Sequence, residues 1–202
     1  MNRLKDLIRQ LFIFLRIKDR STFLSIIPTE GIGAELGVFQ GEFSVELIKI
    51  TNPKKIYLVD PWWKTIGEHY GAWADKHNNG KPLTTRLAYE QSKERINKIN
   101  ARNIAQFIIE DDILFLKSLP DASLDWVYID STHKYHHTKL ELQELNRVIK
   151  PNGIITGHDW EPNPKHIHHG VYKAVNEFCQ TQNWKIFKID TLFYQWAIKR
   201  SL

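Results

Sequence analysis

Residues 34–44 read Ala34-Glu35-Leu36-Gly37-Val38-Phe39-Gln40-Gly41-Glu42-Phe43-Ser44, and residues 56–60 read Ile56-Tyr57-Leu58-Val59-Asp60. The first stretch predicts a buried strand that turns on glycine into a helix, and the second predicts a parallel strand that ends in a carboxylate. Gly37 and Gly41 bracket a loop where the backbone must come close to another group, because a Cβ atom would stand in the way. Asp60 lies 25 residues after Glu35, about where a second parallel strand delivers an acid to ribose hydroxyls. The two stretches together predict a nucleoside-binding site.

The turn is acidic, and this separates two classes of nucleoside ligand. A dinucleotide-binding turn has the pattern Gly-x-Gly-x-x-Gly directly after the strand, so that a helix N-terminus meets a pyrophosphate. Here only Gly37-x-x-x-Gly41 follows the strand, and Glu35 and Glu42 flank it. Both carboxylates would repel a pyrophosphate, whereas they would attract a ligand that carries an amino group. Pyrophosphate binding is therefore disfavoured.

From Gly31 onward, strand and helix patterns alternate, which predicts an α/β fold. We expect a Rossmann-like, mostly parallel seven-stranded sheet with helices on both faces and a C-terminal antiparallel hairpin. Strands are predicted at 32–38, 56–60, 104–109, 124–129, 154–157, 184–189 and 192–198, and helices at 41–50, 83–100, 135–149 and 171–181. Pro151-Asn152-Gly153 is predicted to turn into the fifth strand, and Asp190-Thr191 to form the tight turn of the hairpin.

The composition fits one domain. With 202 residues, of which 42% are hydrophobic, the chain is long enough for one core and too short for two. We divide it into an N-terminal extension, residues 1–29, and a domain, residues 30–202, with a polar and aromatic insertion over the site at about 61–82. The single cysteine, Cys179, excludes an intrachain disulfide and fits a cytoplasmic protein. The net charge of +5 is spread along the chain, so it does not indicate nucleic acid binding.

Residues 1–18 have the spacing of an amphipathic helix, with apolar residues such as Leu4, Leu7, Leu11 and Leu15 on one face. The longest apolar run in this segment is too short to span a bilayer, so no transmembrane segment is predicted. We expect the helix to pack on the domain or on a second subunit in a homodimer. Peripheral contact with an anionic membrane surface and a lid over the substrate are the alternatives.

Four motifs in order give the chain a family resemblance. They are Ala-Glu-Leu-Gly-Val-Phe-Gln-Gly, Leu-Val-Asp-Pro-Trp, Tyr-Ile-Asp-Ser-Thr-His-Lys-Tyr and Pro-Asn-Gly-Ile-Ile-Thr-Gly-His-Asp-Trp. Together they resemble class I S-adenosylmethionine-dependent methyltransferases, and in particular the small methyltransferase 24-like subgroup with Asp-x-x-His-x-Tyr after strand four and Gly-His-Asp after strand five. The resemblance covers about residues 30 to 200. It implies an enzyme that uses S-adenosylmethionine, and it says little about the substrate.

The resemblance also implies a set of cofactor contacts: Glu35, Gly37, Gly41, Asp60, Trp62, Asp111 and Asp112. Glu35 and the turn backbone would hold the amino acid end of the cofactor, and Asp60 would accept hydrogen bonds from both ribose hydroxyls. Asp111 would accept from the adenine amine with Asp112 as a helix cap, although which of these two adjacent acids has which role stays open. Trp62 would lie against the adenine face or serve as a structural tryptophan.

Methyl transfer to a hydroxyl requires the loss of a proton whose pKa is far above seven, and a general base or a divalent metal ion can promote that loss. In metal-dependent O-methyltransferases of this fold, carboxylates and an amide at the ends of strands four and five bind magnesium. Asp130 and Asp159 match two of those positions, whereas His158 departs from the pattern. One interpretation is a site for Mg²⁺ or another divalent cation formed by Asp130, Asp159 and His158. The other is metal-free catalysis by His133, Asp130 and His158, in which His133 and His158 act as the base.

Two further groups of histidines are predicted to be exposed. His136 and His137 open a helix and are assigned to its surface. His166, His168 and His169 follow a proline-rich loop and have no cysteine nearby, so a solvated loop is favoured over a metal cluster.

We therefore expect an S-adenosylmethionine-dependent methyltransferase that forms an O-methyl bond on a small molecule, with a sugar or natural-product hydroxyl as the acceptor. The aromatic residues of the insertion would stack on such rings. The alternatives are a nucleoside-binding oxidoreductase and a non-catalytic member of the fold that binds a partner. Nucleic acid methylation is disfavoured, because neither an Asn/Asp-Pro-Pro-Tyr motif nor a basic stripe occurs in the sequence.

Overall fold

The computed structural model describes residues 22–201, so the predicted amphipathic helix at residues 1–18 lies outside the described residues. Just after this segment, Phe23, Leu24 and Ile27 are buried against the domain. None of the helices formed by residues 22–201 combines the length and the apolar composition that crossing a membrane requires.

The described strands form one sheet in the order β3-β2-β1-β4-β5-β7-β6. They are β1 (Ile32–Leu36), β2 (Lys55–Val59), β3 (Ala105–Ile108), β4 (Leu124–Ile129), β5 (Ile149–Gly157), β6 (Trp184–Asp190) and β7 (Gln195–Arg200). Strands β1 to β5 pair in parallel, whereas β7 runs antiparallel to both β5 and β6. The predicted seven-stranded, mostly parallel sheet with a C-terminal antiparallel hairpin is confirmed.

Helices cover both faces of the sheet. They are α1 (Glu42–Thr51), α2 (Ala72–Asp75), α3 (Thr85–Lys98), α4 (Asp112–Ser118), α5 (Tyr135–Val148) and α6 (His169–Thr181). Trp126 and Tyr128 of β4 pack in the core beneath α1 and α3, and Val127 and Ile129 pack in the core beneath α4, α5 and α6. This alternation arises because successive side chains of a strand point to opposite faces. The sheet therefore separates two apolar cores.

The turn of the C-terminal hairpin differs from the prediction. The predicted tight turn is wrong, because β6 continues to Asp190 and β7 begins only at Gln195. The Asp190 carboxylate accepts hydrogen bonds from the backbone N–H groups of Leu192 and Phe193 at 2.9 and 3.2 Å. An aspartate that bonds the backbone two residues on stabilises a wider loop, and this local bond explains the longer connection.

Strand β5 begins at Ile149 rather than at Ile154. Ile149 pairs with Leu124 and Ile154 pairs with Trp126, so the register against β4 shifts between them. The segment Pro151-Asn152-Gly153, predicted as a turn before the strand, is instead an irregularity inside it. A proline is tolerated there, because a residue at a bulge does not have to donate to the ladder.

The carboxyl edge of the sheet is closed tightly at the turn after β1. Gly37 has a φ of 91°, and a Cβ atom there would lie 2.1 Å from the Asp130 carbonyl oxygen at the end of β4. Gly41, with a φ of 73°, precedes α1, and its Cβ atom would lie 2.8 Å from that of Ser92 in α3. The sequence predicted that the backbone at both glycines comes close to another group. In the structure, that group is another segment of the protein's own chain.

We predict that Gly37→Ala destabilises the fold more than Gly67→Ala. Both glycines have a φ of 91°, but a Cβ atom at Gly67 would meet no atom within 4 Å. The left-handed backbone alone costs an alanine about 1–2 kcal/mol, and the clash at Gly37 adds about 1–3 kcal/mol. Urea unfolding measures both values, and equal costs for the two variants would contradict the prediction.

Candidate active site

Asp60 follows β2 and is held by the turn after β1 and by the insertion. Its Oδ2 accepts a hydrogen bond from the Phe39 backbone N–H at 2.8 Å. Its Oδ1 accepts from the Trp62 backbone N–H at 2.9 Å and from the Tyr70 hydroxyl at 3.2 Å. Burial raises the pKa of Asp60, because desolvation outweighs the hydrogen bonds that lower it. The carboxylate expected at the end of strand two is thus present, and in this conformation its bonds go to the protein itself.

The insertion folds onto the turn through aromatic contacts. The ring of Phe39, whose φ is 53°, lies 5.0 Å from that of Tyr70, 5.2 Å from that of Trp73 and 5.5 Å from that of His77, measured between centroids. Trp73 remains 55% exposed. The insertion therefore covers the turn and presents an indole ring to solvent.

The resemblance left two roles open for Trp62, a contact with adenine or a structural role. In this structure its packing is that of a structural tryptophan. Its side chain is 0% exposed, its Nε1 donates to the Phe39 carbonyl at 3.1 Å, and its ring packs against Tyr89. A ring enclosed in this way is packed as a structural tryptophan, and its contact with adenine stays a prediction.

Glu35 is also enclosed. It is 1% exposed, and its carboxylate accepts a hydrogen bond from the Ser44 hydroxyl in the first turn of α1. Glu35 therefore joins the end of β1 to the start of α1, and its contact with the amino group of a ligand stays a prediction.

The two acids after β3 have separate partners. Asp111 is the helix cap, because its Oδ1 accepts hydrogen bonds from the N–H groups of Ile113 and Leu114 at 3.0 and 3.2 Å. Asp112 is buried, and its Oδ1 lies 2.6 Å from Nε2 of His137 in α5. Of the two acids whose roles the sequence left open, Asp111 is thus the one that caps the helix, whereas the assignment of His137 to the helix surface is wrong.

A larger group lies at the carboxyl ends of β4 and β5, and we call it the rim cluster: Asp130, His133, His158, Asp159 and His168. His133 Nε2 lies 3.2 Å from Asp130 Oδ1 and 3.0 Å from Asp159 Oδ2. His158 Nδ1 lies 3.2 Å from Asp159 Oδ1 and 3.6 Å from Asp130 Oδ1. His168 Nδ1 lies 3.0 Å from Asp159 Oδ1. The structure thus brings together all four catalytic or metal candidates and adds a fifth residue.

His168 was missed, and its prediction as part of a solvated loop is wrong. It directly precedes α6, and that helix begins close to the start of α5. A Cβ atom at Gly170 would lie 2.5 Å from the Tyr135 backbone nitrogen, so only glycine allows the two helix ends to touch there. This contact between distant segments carries His168 to Asp159. The sequence did contain one signal, Gly170 directly after these histidines. A glycine by itself, however, does not indicate which distant segment it contacts.

The rim cluster balances buried charge. Burial lowers the pKa of His133, but the hydrogen bonds and charges of Asp130 and Asp159 outweigh this and raise it to about 10. The pKa of Asp159 is lowered, because the bonds and charges of His133 and His158 outweigh its desolvation. Metal-free His133 is therefore an imidazolium at neutral pH, and it cannot accept a further proton.

The backbone of the rim cluster is also unusual. His133 has a φ of 60° and Asp159 has a φ of 59°. Residues other than glycine are uncommon in this left-handed region, although Asp and His enter it more often than most, and such residues cluster at functional sites, where the surrounding structure holds them in place.

The donor atoms fit a metal ion. Ligand atoms of His133, Asp159 and His168 lie within 4.8 Å of one another, and the same holds for Asp130, His158 and Asp159. Each group of three mixes imidazole and carboxylate donors, which suits ions such as Zn²⁺, Mn²⁺ or Fe²⁺, whereas Mg²⁺ prefers oxygen ligands and retained water. The rim cluster therefore has the chemistry of a transition-metal site more than that of a magnesium site.

Comparison with known sequences gives one family. A family profile described as a methyltransferase domain matches residues 34–160. A search of curated proteins gave no match.

Several solved structures share the fold. A proposed S-adenosyl-L-methionine-dependent methyltransferase from Methanococcus maripaludis has a TM-score of 0.65 and 15% identity, over 100% of this chain and 92% of that chain. A proposed methyltransferase from Streptococcus mutans, in complex with SAH (S-adenosylhomocysteine), has a TM-score of 0.59 and 15% identity, over 91% and 97%. A proposed rRNA methylase from Clostridium thermocellum has a TM-score of 0.62 and 11% identity, over 92% and 95%. At these identities the likeness concerns the fold alone.

We predict that the metal-free protein loses stability as the pH rises from 6.5 to about 10, because folded His133 keeps a proton that the unfolded chain releases. Below pH 6.5 the stabilisation is fully present, and above it His133 contributes a slope of at most about 1.4 kcal/mol per pH unit. Urea unfolding with a chelator present measures this slope. His133→Asn, which tolerates the left-handed backbone, should flatten it, and an unchanged slope in that variant would contradict the prediction.

Proposed function

This chain belongs to the methyltransferase domain family, and we propose that it transfers the methyl group of S-adenosylmethionine to a hydroxyl group of a small molecule, with assistance from a divalent cation. One observation carries the proposal. The turn after β1 and Asp60 after β2 lie on the same sheet edge as the rim cluster after β4 and β5, and β1 is the neighbour of β4. In parallel α/β sheets this edge holds the ligand, so a nucleoside and a reactive hydroxyl would meet there.

Asp60 supports the cofactor part of the proposal. The hydrogen bond from Tyr70 is the longest of the three measured at this carboxylate, and it comes from the insertion rather than from the sheet edge. A ribose hydroxyl would replace Tyr70 at Oδ1, while the bonds from Phe39 and Trp62 keep the carboxylate oriented. Asp111 would stay near the adenine as the acid at the start of α4, and Glu35 would act indirectly through Ser44.

The charge balance supports the metal. Both interpretations of the sequence used Asp130 and His158, and they differed in whether His133 acts as a free base. The raised pKa of His133 argues against a metal-free base. Asp130, Asp159 and His158 would hold the ion, and its positive charge would take the place of the His133 proton beside the two carboxylates. A bound divalent ion would lower the pKa of an alcohol or phenol, so that its proton could leave to solvent and the resulting oxyanion could attack the methyl group, with S-adenosylhomocysteine as the leaving group.

The acceptor is proposed to be a sugar or a natural-product scaffold. The exposed indole of Trp73 and the edge of Tyr70, 5.8 Å apart between ring centroids, would form one wall for a ring-shaped substrate. The neighbour described as a proposed rRNA methylase is 11% identical, so its substrate class does not transfer to this chain.

Calorimetry with S-adenosylhomocysteine tests the cofactor site. We expect Asp60→Asn to weaken binding by at least about tenfold, since a hydrogen bond to a charged group is worth about 1.5–3 kcal/mol. Tyr70→Phe removes the competing hydroxyl and should bind the ligand as tightly as the unsubstituted protein or more tightly. Unchanged binding in Asp60→Asn, or tight binding of a nicotinamide dinucleotide, would refute the assignment.

Methyl transfer in the presence of a chelator tests the metal. Tritiated methyl transfer to fractions of a cell extract should fall by at least about 100-fold without the ion, while affinity for S-adenosylhomocysteine stays the same. Mn²⁺ or Zn²⁺ should restore activity better than Mg²⁺. Asp159→Asn should reproduce the loss, whereas Glu161→Gln, a charge change two residues away, should not. Turnover that is indifferent to the chelator would rule the ion out.

A further inference from the structure

The sheet formed by residues 22–201 has two outer strands, β3 and β6, and their open edges are protected differently. An open edge presents backbone N–H and C=O groups that can pair with another chain, so proteins often place charges or bulges there. On β6, Lys185 and Lys188 are exposed, and the register against β7 shifts between Ile186 and Lys188. Strand β3, Ala105-Gln106-Phe107-Ile108, carries no charge and pairs with β2 without a shift. Of the two edges, that of β3 is therefore the one suited to pairing.

The backbone of β3 has groups that point away from β2. The carbonyl oxygens of Ile104 and Ile108 accept hydrogen bonds from the N–H groups of Ile56 and Asp60, at 2.8 and 3.2 Å. Because alternate residues of a strand bond to the same neighbour, Phe107 directs its N–H and C=O groups to the opposite side. Each residue of β3 is at least partly exposed, whereas β1, in the middle of the sheet, has four of its five residues buried. The outer side of β3 is thus accessible to another strand.

An apolar groove of about 450 Å³ lies between this edge and α4. Its lining includes Tyr57, Ile108, Leu114, Phe115 and Leu119. Leu114 of α4 is 55% exposed, so an apolar side chain stands beside an apolar groove. About a two-fold axis such a surface is self-complementary, because the leucine of each copy can enter the groove of the other. This contact adds apolar area to the strand edge, which by itself is too short for a stable interface.

The charges at the two ends of β3 have opposite sign. Arg102 precedes the strand, and its partner among residues 22–201 is the amide oxygen of Asn97, at 2.6 Å from Nε, rather than a carboxylate. Glu110 and Asp111 follow the strand, and Lys64 pairs with Glu110, so this end keeps a net negative charge. In an antiparallel pair of identical strands, the start of one strand lies beside the end of the other. The basic end of each copy therefore meets the acidic end of its partner.

We propose that the edge of β3 binds the same edge of a second copy of this chain, in antiparallel orientation about a two-fold axis. The described sheets of the two copies join into one continuous sheet. Phe107 exchanges backbone hydrogen bonds with the partner's strand, Leu114 fills the partner's groove, and Arg102 lies beside the acidic end of the partner's β3. The inference is independent of the proposed function, because none of these three residues is assigned to the cofactor or to the rim cluster.

Sedimentation velocity of the full-length protein over a range of concentrations tests the pairing, and we expect a dimer. Arg102→Glu places like charges together at both symmetry-related contacts, so it should raise the dissociation constant by about tenfold. Glu110→Lys should have a similar effect. The two substitutions together recreate opposite charges, and they should return the dissociation constant to within about threefold of its original value. Lys185→Glu, a charge reversal on the edge of β6, is the matched control and should leave the dimer unchanged.

Leu114→Gln tests the groove without a change of charge. It should weaken the dimer, whereas Leu140→Gln, at a leucine of α5 that is 47% exposed, should not. Both side chains are exposed in the single chain, so both variants should fold, which circular dichroism checks. A protein that is monomeric at every concentration would overturn the proposal. A dimer that is indifferent to Leu114→Gln, or that the paired charge reversals fail to restore, would also overturn it, because its interface would lie elsewhere.

Discussion

Buried carboxylates at the carboxyl edge of the sheet need partners, and this requirement organises the site. Asp60, Asp112, Glu141 and Asp159 are all less than a tenth exposed. A buried charge without a partner costs several kcal/mol, so each carboxylate must meet a donor, a proton or a cation. Turns, helix starts and histidines supply these partners, because parallel strands place them all at one edge.

The carboxyl edge of the sheet has two halves, which differ in the kind of group that binds the carboxylates. Near β1 and β2, neutral donors hold the acid, since Asp60 is bonded by backbone N–H groups and the Tyr70 hydroxyl. Near β4 and β5, imidazoles surround Asp130 and Asp159. A hydrogen bond from a neutral hydroxyl can be exchanged for one from a ligand hydroxyl. A protonated imidazole can be exchanged for one bound to a metal ion, because both states supply positive charge. The halves are therefore suited to different parts of one reaction.

Local patterns predicted the elements well, and they failed where a partner comes from a distant segment. The strand ending at Ile129 and the helix starting at Tyr135 lie where periodicity places them. Trp62 was harder to assign, because an aromatic residue beside an acid has the same sequence pattern whether it faces a ligand or the core. Its burial depends on α3, which supplies Tyr89. The wider hairpin turn depends on one aspartate side chain, which the turn residues alone did not reveal.

The sequence by itself determined which acids end the strands and in what order, because strand periodicity and turn residues are local properties of the chain. It also determined the glycine turn, since a positive φ and a missing Cβ are properties of Gly37 itself. Only the tertiary structure decided the partners of those acids. His168 reaches Asp159, and His137 reaches Asp112, because α6 packs against α5 and α5 packs against α4. Such contacts depend on how the helices dock on the sheet. The periodicity of the sequence does not encode the distance between side chains on two different helices.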